Sequence, residues 1–338
     1  MRTILLIAAI SLIATAASAS VRHAKIQSQS TFISGNSTAC NVNPGNGLAL
    51  ANSVHSTIPG IIDQHEIIVG NSNQKVTTMP VKQAKPEADS LAPPELIAGM
   101  NKAKNGDFRG AIKDYNKCIK QNNKNYNAYY LKGKALYLLH VSDSALFDFN
   151  QAIKYNQKIP ECFYYRGCVY YQKGLNDKAF NDFNTAVKLK PGFTDALNYR
   201  GVTRAILGHH AEAIADYNKA IKLKPGFAAA YFNKGTSEAA LGKYTEAIAS
   251  FTQSLELDTR NVSNYMNRGN CYVMIEDYDK AIGDFSKAIE IEPKYSPAYI
   301  NRGAAFNAKG NTKSCDDWRK AEELGNKKGT ELLNQYCK

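Results

Sequence analysis

The residues of this chain that commonly carry catalysis or bind metals do not fall into a recognisable site. His140, His209 and His210 have no second histidine or carboxylate at metal-ligand spacing, and no HExxH pattern occurs. Cys162 and Cys168 are six residues apart, which on a helix turns them to different sides. The chain also lacks a GxSxG elbow, a phosphate-binding loop and a dinucleotide fingerprint. We therefore expect no catalytic residue, no metal and no cofactor, and a protein that is not an enzyme.

One pair of cysteines does point to covalent chemistry. Cys315 and Cys337 flank the Gly325–Asn326 turn, in two short segments that have the pattern of helices. Because the turn is the midpoint between them, an antiparallel helix pair sets the two thiols side by side. The sequence therefore predicts a disulfide between Cys315 and Cys337. Cys118 and Cys271, at positions typical of a core, should stay reduced.

A series of glycines defines the elements that position these residues. The glycines recur at one constant interval, at Gly99, Gly133, Gly167, Gly201, Gly235, Gly269 and Gly303. A glycine inside a helix costs about 1 kcal/mol relative to alanine. Such a series is retained only if each glycine lets another element approach more closely than a Cβ would permit. The spacing therefore predicts one close contact made seven times.

Other positions come into register when this glycine is numbered 8 in a 34-residue unit. Position 24 is aromatic, at Tyr115, Phe149, Phe183, Tyr217, Phe251 and Phe285. Positions 20 and 27 are small, and turn residues fall near positions 15 and 32. The apolar spacing between these turns predicts two amphipathic helices in each unit, helix A over about positions 2–14 and helix B over about positions 18–31. We expect the small residues to let A and B pack tightly, and the aromatic rings at positions 4 and 24 to fill the space between neighbouring units.

This pattern resembles the tetratricopeptide repeat family, whose helix–turn–helix unit has the same length, about 34 residues. The resemblance runs from about residue 93 to residue 325 and covers seven units. It implies an all-α fold, a right-handed superhelical solenoid in which helix A lines the concave surface. After Gly310 the seventh unit departs from the pattern, and residues 326–338 are predicted to form a helix that caps the array.

The resemblance also indicates where a ligand would bind. Positions 5, 6, 9 and 12 of helix A tend to face the concave surface in this family. A tyrosine cluster with one lysine occupies them in the second and third units: Tyr130, Lys134, Tyr137, Tyr164 and Tyr171. Asparagines follow in later units: Asn233, Asn267, Asn270 and Asn301. Tyrosines offer rigid contact area and asparagine amides can bond an extended main chain, so we expect a peptide groove with exposed tyrosines, and buried rings at Tyr129 and Phe163.

The net charge of +12 allows two interpretations. Position 7 is basic, at Lys132, Arg166, Arg200, Lys234, Arg268 and Arg302. Position 23 is acidic in most units, at Asp114, Asp148, Asp182, Asp216 and Asp284, with Ser250 as the exception. An aspartate and the basic residue 18 positions later are symmetric about the turn between units. We therefore expect a salt-bridge ladder, in which each basic residue pairs with the aspartate of the preceding or the same unit. The alternative is a stripe that binds polyanions, but an exported protein seldom meets nucleic acid, and no nucleic-acid partner is expected.

The segments before the repeats suggest export. Residues 1–19 have the pattern of a signal peptide: Arg2, an apolar run from Ile4 to Ile13, and Ala17-Ser18-Ala19 before a cleavage site. That run is too short to span a bilayer, and no transmembrane segment is expected in the mature chain. Residues 20–92 are rich in Ser, Asn, Gly and Gln and are predicted to be a flexible linker or tether. We expect a periplasmic or extracellular protein, in an oxidising compartment that favours disulfides.

Two functions from different classes remain open at this point. The groove and the lack of catalytic groups favour an exported scaffold, a monomer that holds a protein or peptide segment. The alternative is a binder of glycan or cell-wall polymer, with the same tyrosines as stacking platforms. A hydrolase would need a carboxylate or nucleophile cluster at one place, which the sequence does not show.

Overall fold

The structure, a computed structural model, describes residues 92–337. Within that range it consists of fifteen α-helices without a strand. The signal peptide expected over residues 1–19 and the linker expected over residues 20–92 lie outside the described residues, apart from Ala92. The described part of the chain is therefore an all-α repeat array.

The helices alternate between the two kinds that the sequence predicts. The first helices of successive units are α1 (Pro94–Lys104), α3 (Tyr126–Leu138), α5 (Pro160–Gln172), α7 (Thr194–Ile206), α9 (Ala228–Ala240), α11 (Val262–Met274) and α13 (Ser296–Ala308). The second helices are α2 (Phe108–Gln121), α4 (Ser142–Tyr155), α6 (Asn176–Leu189), α8 (His210–Leu223), α10 (Tyr244–Leu257), α12 (Tyr278–Ile291) and α14 (Lys313–Glu323). Helix α15 (Lys327–Tyr336) closes the array.

Each helix packs most closely on the one before it and the one after it, and the first helices of adjacent units also contact one another. The turn inside a unit needs a left-handed backbone at position 15. Glycine supplies it in most units, for example Gly208 with φ of 88°. His140 and Glu276 adopt the same conformation with φ of 60° and 62°, which is strained for a residue with a Cβ. The turn geometry is therefore kept even where the sequence does not favour it.

The repeated glycines face the aromatic rings of their own units. A Cβ built on Gly269 would lie 2.6 Å from the Phe285 ring, and one on Gly201 would lie 2.6 Å from the Tyr217 ring. The same contact recurs at all seven glycines, with Trp318 as the partner of Gly303. The expected close approach therefore exists, and it joins helices A and B of one unit. Position-24 rings also reach the next unit, since Phe149 stacks on Tyr165 and Phe183 stacks on Tyr199.

In the last unit the spacing from the repeated glycine to its aromatic ring is one residue shorter than in the others. Gly303 meets the ring of Trp318, at position 23 of its unit, whereas the other glycines meet a ring at position 24. The shift moves Ser314 into the buried place that alanine holds in other units. Cys315, the next residue along, lies outside that buried place and bonds Cys337 directly after α15, as the sequence predicts.

Helix α15 covers the end of the array by packing on α14. The ring centroids of Trp318 and Tyr336 lie 5.5 Å apart. A Cβ on Gly329 would lie 2.6 Å from the Trp318 carbonyl oxygen, which shows how closely the two helices approach. The Cα atoms of Cys315 and Cys337 are 5.8 Å apart, and their sulfurs form a disulfide of 2.09 Å.

We predict that protein purified without reductant contains this disulfide. Digestion with trypsin should release the peptides of residues 314–319 and 329–338 as one linked species, which reduction separates. With a separation of 22 residues between the cysteines, the loss of the link should lower the free energy of unfolding by about 3 kcal/mol. The control is the Cys271 thiol, which is buried and free. Burial raises the pKa of this thiol to about 12, so it should resist alkylation in the folded chain. Free 314–319 and 329–338 peptides from unreduced protein would contradict the prediction.

Two glycines of one unit give a matched test of the close contact. Gly269→Ala should lower the free energy of unfolding by about 1–2 kcal/mol, because the new methyl group must displace the Phe285 ring. Gly283→Ala lies in α12, where a Cβ would meet nothing within 4 Å, and should raise stability by up to about 1 kcal/mol. Urea denaturation followed by circular dichroism measures both. Equal effects of the two changes would show that the contact does not constrain the glycine.

Candidate functional site

Two of the four tyrosines expected to line the groove are buried. Tyr164 is 2% exposed and Tyr137 is 5% exposed, so the expectation that both stand open on the concave surface is wrong. Tyr130 and Tyr171 are half-buried. Phe163 is buried as expected, whereas Tyr129 is half-buried and stacks on Tyr155.

The physical reason is an aromatic cluster that spans the second to fourth units. The Tyr164 ring lies 4.9 Å from the Phe193 ring, 5.2 Å from that of Tyr165 and 6.0 Å from that of Tyr199. Burial among these rings raises the pKa of the Tyr164 hydroxyl well above its usual value. Tyr164 is therefore a packing residue that joins units.

Position 6 of helix A explains the tyrosine burial that the sequence analysis did not predict. Tyr165 and Tyr199 occupy this position in the third and fourth units and contact most of the predicted tyrosines. The Lys134 ammonium nitrogen lies 5.2 Å from the centroid of the Tyr165 ring, a cation–π contact. Half-buried Tyr130, Lys134 and Tyr171 thus remain at the border of the cluster.

The asparagines form hydrogen-bonded pairs across neighbouring first helices. The Asn233 side-chain nitrogen donates to the Asn198 side-chain oxygen at 3.0 Å, and both residues are buried. This pair is part of the packing between α7 and α9. Asn198, at position 5, was not among the predicted site residues, and its partner at position 6 lies 35 residues later.

The second asparagine pair is more open. The Asn301 side-chain nitrogen donates to the Asn270 side-chain oxygen at 2.9 Å, and both residues are half-buried. Asn267, also half-buried, lies one turn before Asn270 on α11. Within the described part of the chain, no other side-chain hydrogen bond uses the Asn270 nitrogen or the Asn301 oxygen. The pair therefore places one amide donor and one amide acceptor side by side on the first helices.

The basic residues at position 7 are paired with buried aspartates of the same unit. The ion pairs, with their shortest distances, are Lys132–Asp148 (3.3 Å), Arg166–Asp182 (2.7 Å), Arg200–Asp216 (2.5 Å), Arg268–Asp284 (2.7 Å) and Arg302–Asp317 (2.7 Å). The expected ladder therefore exists, and of the two expected partners, the aspartate of the preceding unit or of the same unit, it uses the one of the same unit. Each aspartate pairs with the basic residue 16 positions earlier on helix A in a regular unit.

Each arginine of the ladder also reaches the preceding unit. Its third nitrogen donates to position 25 of that unit, as in Arg166 to Asn150 at 2.7 Å and Arg268 to Thr252 at 2.9 Å. The guanidinium fork can bond two partners at once, whereas the lysine ammonium of Lys132 bonds only Asp148 among the described residues. These arginines hold units together, so they do not form a polyanion-binding stripe.

The fifth unit replaces the ladder aspartate with another carboxylate. Ser250 stands where other units have aspartate, and its hydroxyl donates to the buried Glu238 at 2.6 Å. Lys234 lies 3.4 Å from the same carboxylate. The charge balance is therefore kept by a glutamate one turn along helix A.

Residues 92–337 contain neither a metal-binding cluster nor a membrane-spanning helix. No group of three or more histidine, cysteine, aspartate or glutamate side chains there could hold a metal ion. None of the helices in this range combines the length and apolar composition needed to cross a membrane.

Comparison with known sequences places four of the units in one family. Sequence models described as tetratricopeptide repeat match residues 160–193, 194–227, 228–261 and 264–295. No curated protein matches the chain. A Cytophaga hutchinsonii protein fragment, described as the C-terminal part of a TPR repeat-containing protein, is similar with a TM-score of 0.58 and 21% identity, over 70% of this chain and 99% of its own.

Two further solved structures show the same fold. A tetratricopeptide repeat protein from Parabacteroides merdae has a TM-score of 0.52 and 22% identity, over 71% of this chain and 96% of its own. YrrB, described as a TPR protein with an unusual peptide-binding site, has a TM-score of 0.50 and 23% identity, over 58% of this chain and 97% of its own. At these identities the likeness concerns the fold alone.

The ladder predicts a large effect for the loss of one arginine. Arg268→Ala should lower the free energy of unfolding by about 3 kcal/mol, because it leaves the buried Asp284 carboxylate without its cation. Arg268→Lys should lower it by only about 1 kcal/mol, through the loss of the bond to Thr252. Chemical denaturation measures both. The control is Arg260→Ala, an exposed arginine, and a loss at Arg268 no larger than at Arg260 would contradict the structural role.

Proposed function

The chain is a tetratricopeptide repeat protein, a class of protein-interaction scaffold, and we propose that it binds an extended peptide segment across Asn270 and Asn301. The repeats supply a rigid series of first helices on which neighbouring units present side chains at equal intervals. The partner is therefore expected to be a protein whose binding segment has no helical structure of its own along this surface.

The observation that carries the proposal is the half-buried amide pair. Its internal hydrogen bond of 2.9 Å uses the Asn301 donor and the Asn270 acceptor. The other group of each amide can face a ligand. The Asn270 nitrogen can donate to a main-chain carbonyl of a peptide, and the Asn301 oxygen can accept from a main-chain N–H. The internal bond also orients both amides before a ligand arrives, which reduces the entropy lost on binding.

The aromatic end of the array supports contacts of a different kind. Half-buried Tyr130 and Tyr171 and the Lys134 ammonium border the buried cluster. Tyrosine contributes contact area together with a polar hydroxyl. The glycan-binding alternative depended on four open tyrosine rings, and the burial of Tyr137 and Tyr164 removes half of those platforms.

We propose further that the protein is exported. Support comes from the signal-peptide pattern of residues 1–19 and from the disulfide between Cys315 and Cys337, a bond typical of oxidising compartments. Residues 20–92 would then tether the repeat array to whatever the mature N-terminus contacts.

The test begins with a displayed library of random peptides selected on the immobilised full chain. For the peptides recovered, fluorescence anisotropy should give a Kd about tenfold higher for Asn270→Ala and for Asn301→Ala than for the unchanged chain, as expected for one lost hydrogen bond. The double variant should be little weaker than either single one, because the two amides act as a coupled pair.

The matched control is Asn181→Ala, an exposed asparagine on the second helix α6, which should leave the Kd unchanged. All variants should keep the thermal stability of the unchanged chain. Recovered peptides that bind the Asn270 and Asn301 variants as tightly as the control would contradict the proposed site, and a library that yields no binder would contradict peptide binding itself.

A further inference from the structure

The ends of four successive second helices carry a short motif with a regular composition. Each end has a charged residue, an aliphatic residue and a second charged residue. The four triplets, here called the edge strip, are Lys188-Leu189-Lys190, Lys222-Leu223-Lys224, Glu256-Leu257-Asp258 and Glu290-Ile291-Glu292. They recur with the period of the repeat and therefore lie at the same place in units three to six.

Three of the four aliphatic residues of the strip are exposed, whereas Ile291 is half-buried. Leu189 is 39% exposed, Leu223 is 49% exposed and Leu257 is 47% exposed. One exposed leucine is ordinary on a protein surface. Three in consecutive units at one position form a row, with charged side chains on both sides of each leucine. Such an arrangement resembles the apolar centre and charged rim of a protein interface.

The charge of the strip reverses between the fourth and fifth units. The last turns of α6 and α8 carry Lys188 and Lys222, whereas those of α10 and α12 carry no basic residue. A cation near a helix C-terminus is stabilising, and a carboxylate there is destabilising. Helix stability therefore accounts for the lysine triplets and not for the acidic ones.

Local partners do not cancel the reversal. Lys190 lies 3.1 Å from Glu161, and Glu290 lies 2.6 Å from Lys287. Arg260 follows the acidic triplet of the fifth unit, which keeps two carboxylates against one cation, whereas in the sixth unit Lys287 and Lys294 balance Glu290 and Glu292. The triplets themselves still form two positive steps followed by two negative steps, and the reversal is strongest between the fourth and fifth units.

A sequence of two positive and two negative steps is complementary to itself when it is turned around. A two-fold axis between the fourth and fifth units would set the lysines of unit four against the acidic triplet of unit five in a second copy. The same axis would set unit three against unit six. Leu223 would then meet Leu257 of the second copy, and Leu189 would meet Ile291. An isologous dimer needs this kind of self-complementary surface.

We propose that the edge strip is a homodimer interface, in which two copies of this chain pair antiparallel through residues 188–190, 222–224, 256–258 and 290–292. This differs from the monomer expected from the sequence. The strip lies at the ends of second helices, whereas the asparagine pair lies on first helices, so the dimer does not depend on the proposed peptide site. The attraction across the interface is largely between exposed charges and should weaken with salt.

The test is sedimentation equilibrium of the full chain at low and high salt. The unchanged chain should form a dimer that dissociates on dilution to roughly micromolar concentrations, with a higher Kd at high salt. An acidic variant carries Lys188→Glu, Lys190→Glu, Lys222→Glu and Lys224→Glu. A basic variant carries Glu256→Lys, Asp258→Lys, Glu290→Lys and Glu292→Lys. Each variant alone should dimerise at least about tenfold more weakly than the unchanged chain.

The decisive measurement is an equal mixture of the two variants. Each triplet of one variant then faces a triplet of opposite charge in the other. The mixture should therefore form a one-to-one heterodimer, although each variant alone dimerises only weakly. Heterodimer formation also shows that both variants are folded. The control variant reverses four exposed charges near the turns inside the units: Lys104→Glu, Arg109→Glu, Lys178→Glu and Lys243→Glu. It should dimerise like the unchanged chain. A monomeric unchanged chain at low salt, or a mixture that fails to pair, would overturn the proposal.

Discussion

The contact between the position-8 glycine and the aromatic ring of the same unit is the constraint on which the array depends. A Cβ at these glycines would lie 2.5–2.9 Å from a ring atom in every unit, closer than real Cβ contacts allow. The ring can therefore enter the space between helices A and B, and it sets the distance between them. Because the contact recurs in each unit, every pair of helices has nearly the same geometry, and the side chains on its faces repeat at equal intervals.

The arginines of the ladder join these uniform units into a continuous array. Arg200 bonds Asp216 of its own unit through two nitrogens and the Asn184 oxygen of the preceding unit through a third, at 2.9 Å. The buried aspartate holds the guanidinium in place. Because a lysine ammonium lacks the fork that bonds two partners at once, replacing one of these arginines with lysine is not a conservative change. The relative position of neighbouring first helices, and so of Asn270 and Asn301, follows from these bonds.

The sequence predicted the features that repeat, and of the features confined to one part of the array it predicted the Cys315–Cys337 disulfide but not the burial of the groove tyrosines. Helix pairs, the glycine contact and the ladder recur, so each was supported by several copies. The burial of Tyr137 and Tyr164 follows from Tyr165 and Tyr199, two side chains that occur at position 6 in only two units. The place of Cys315 follows from one missing residue before Trp318. Periodicity alone cannot show either effect, because both are departures from the period.

The same periodic scaffold changes between the fourth and fifth units at two repeat positions, one buried and one exposed. At position 6 the side chain changes from Tyr199 to Asn233, and at position 29 it changes from Lys222 to Glu256. The ladder also changes there, since Glu238 and Ser250 take over from an aspartate. The contact between helices A and B does not require these exchanges, because the glycine–ring contact of the fifth unit, between Gly235 and Phe251, is unchanged. That contact thus remains periodic while buried position 6 and exposed position 29 both change at the same junction, and a two-fold axis there would place the aromatic half of one copy beside the amide half of the other.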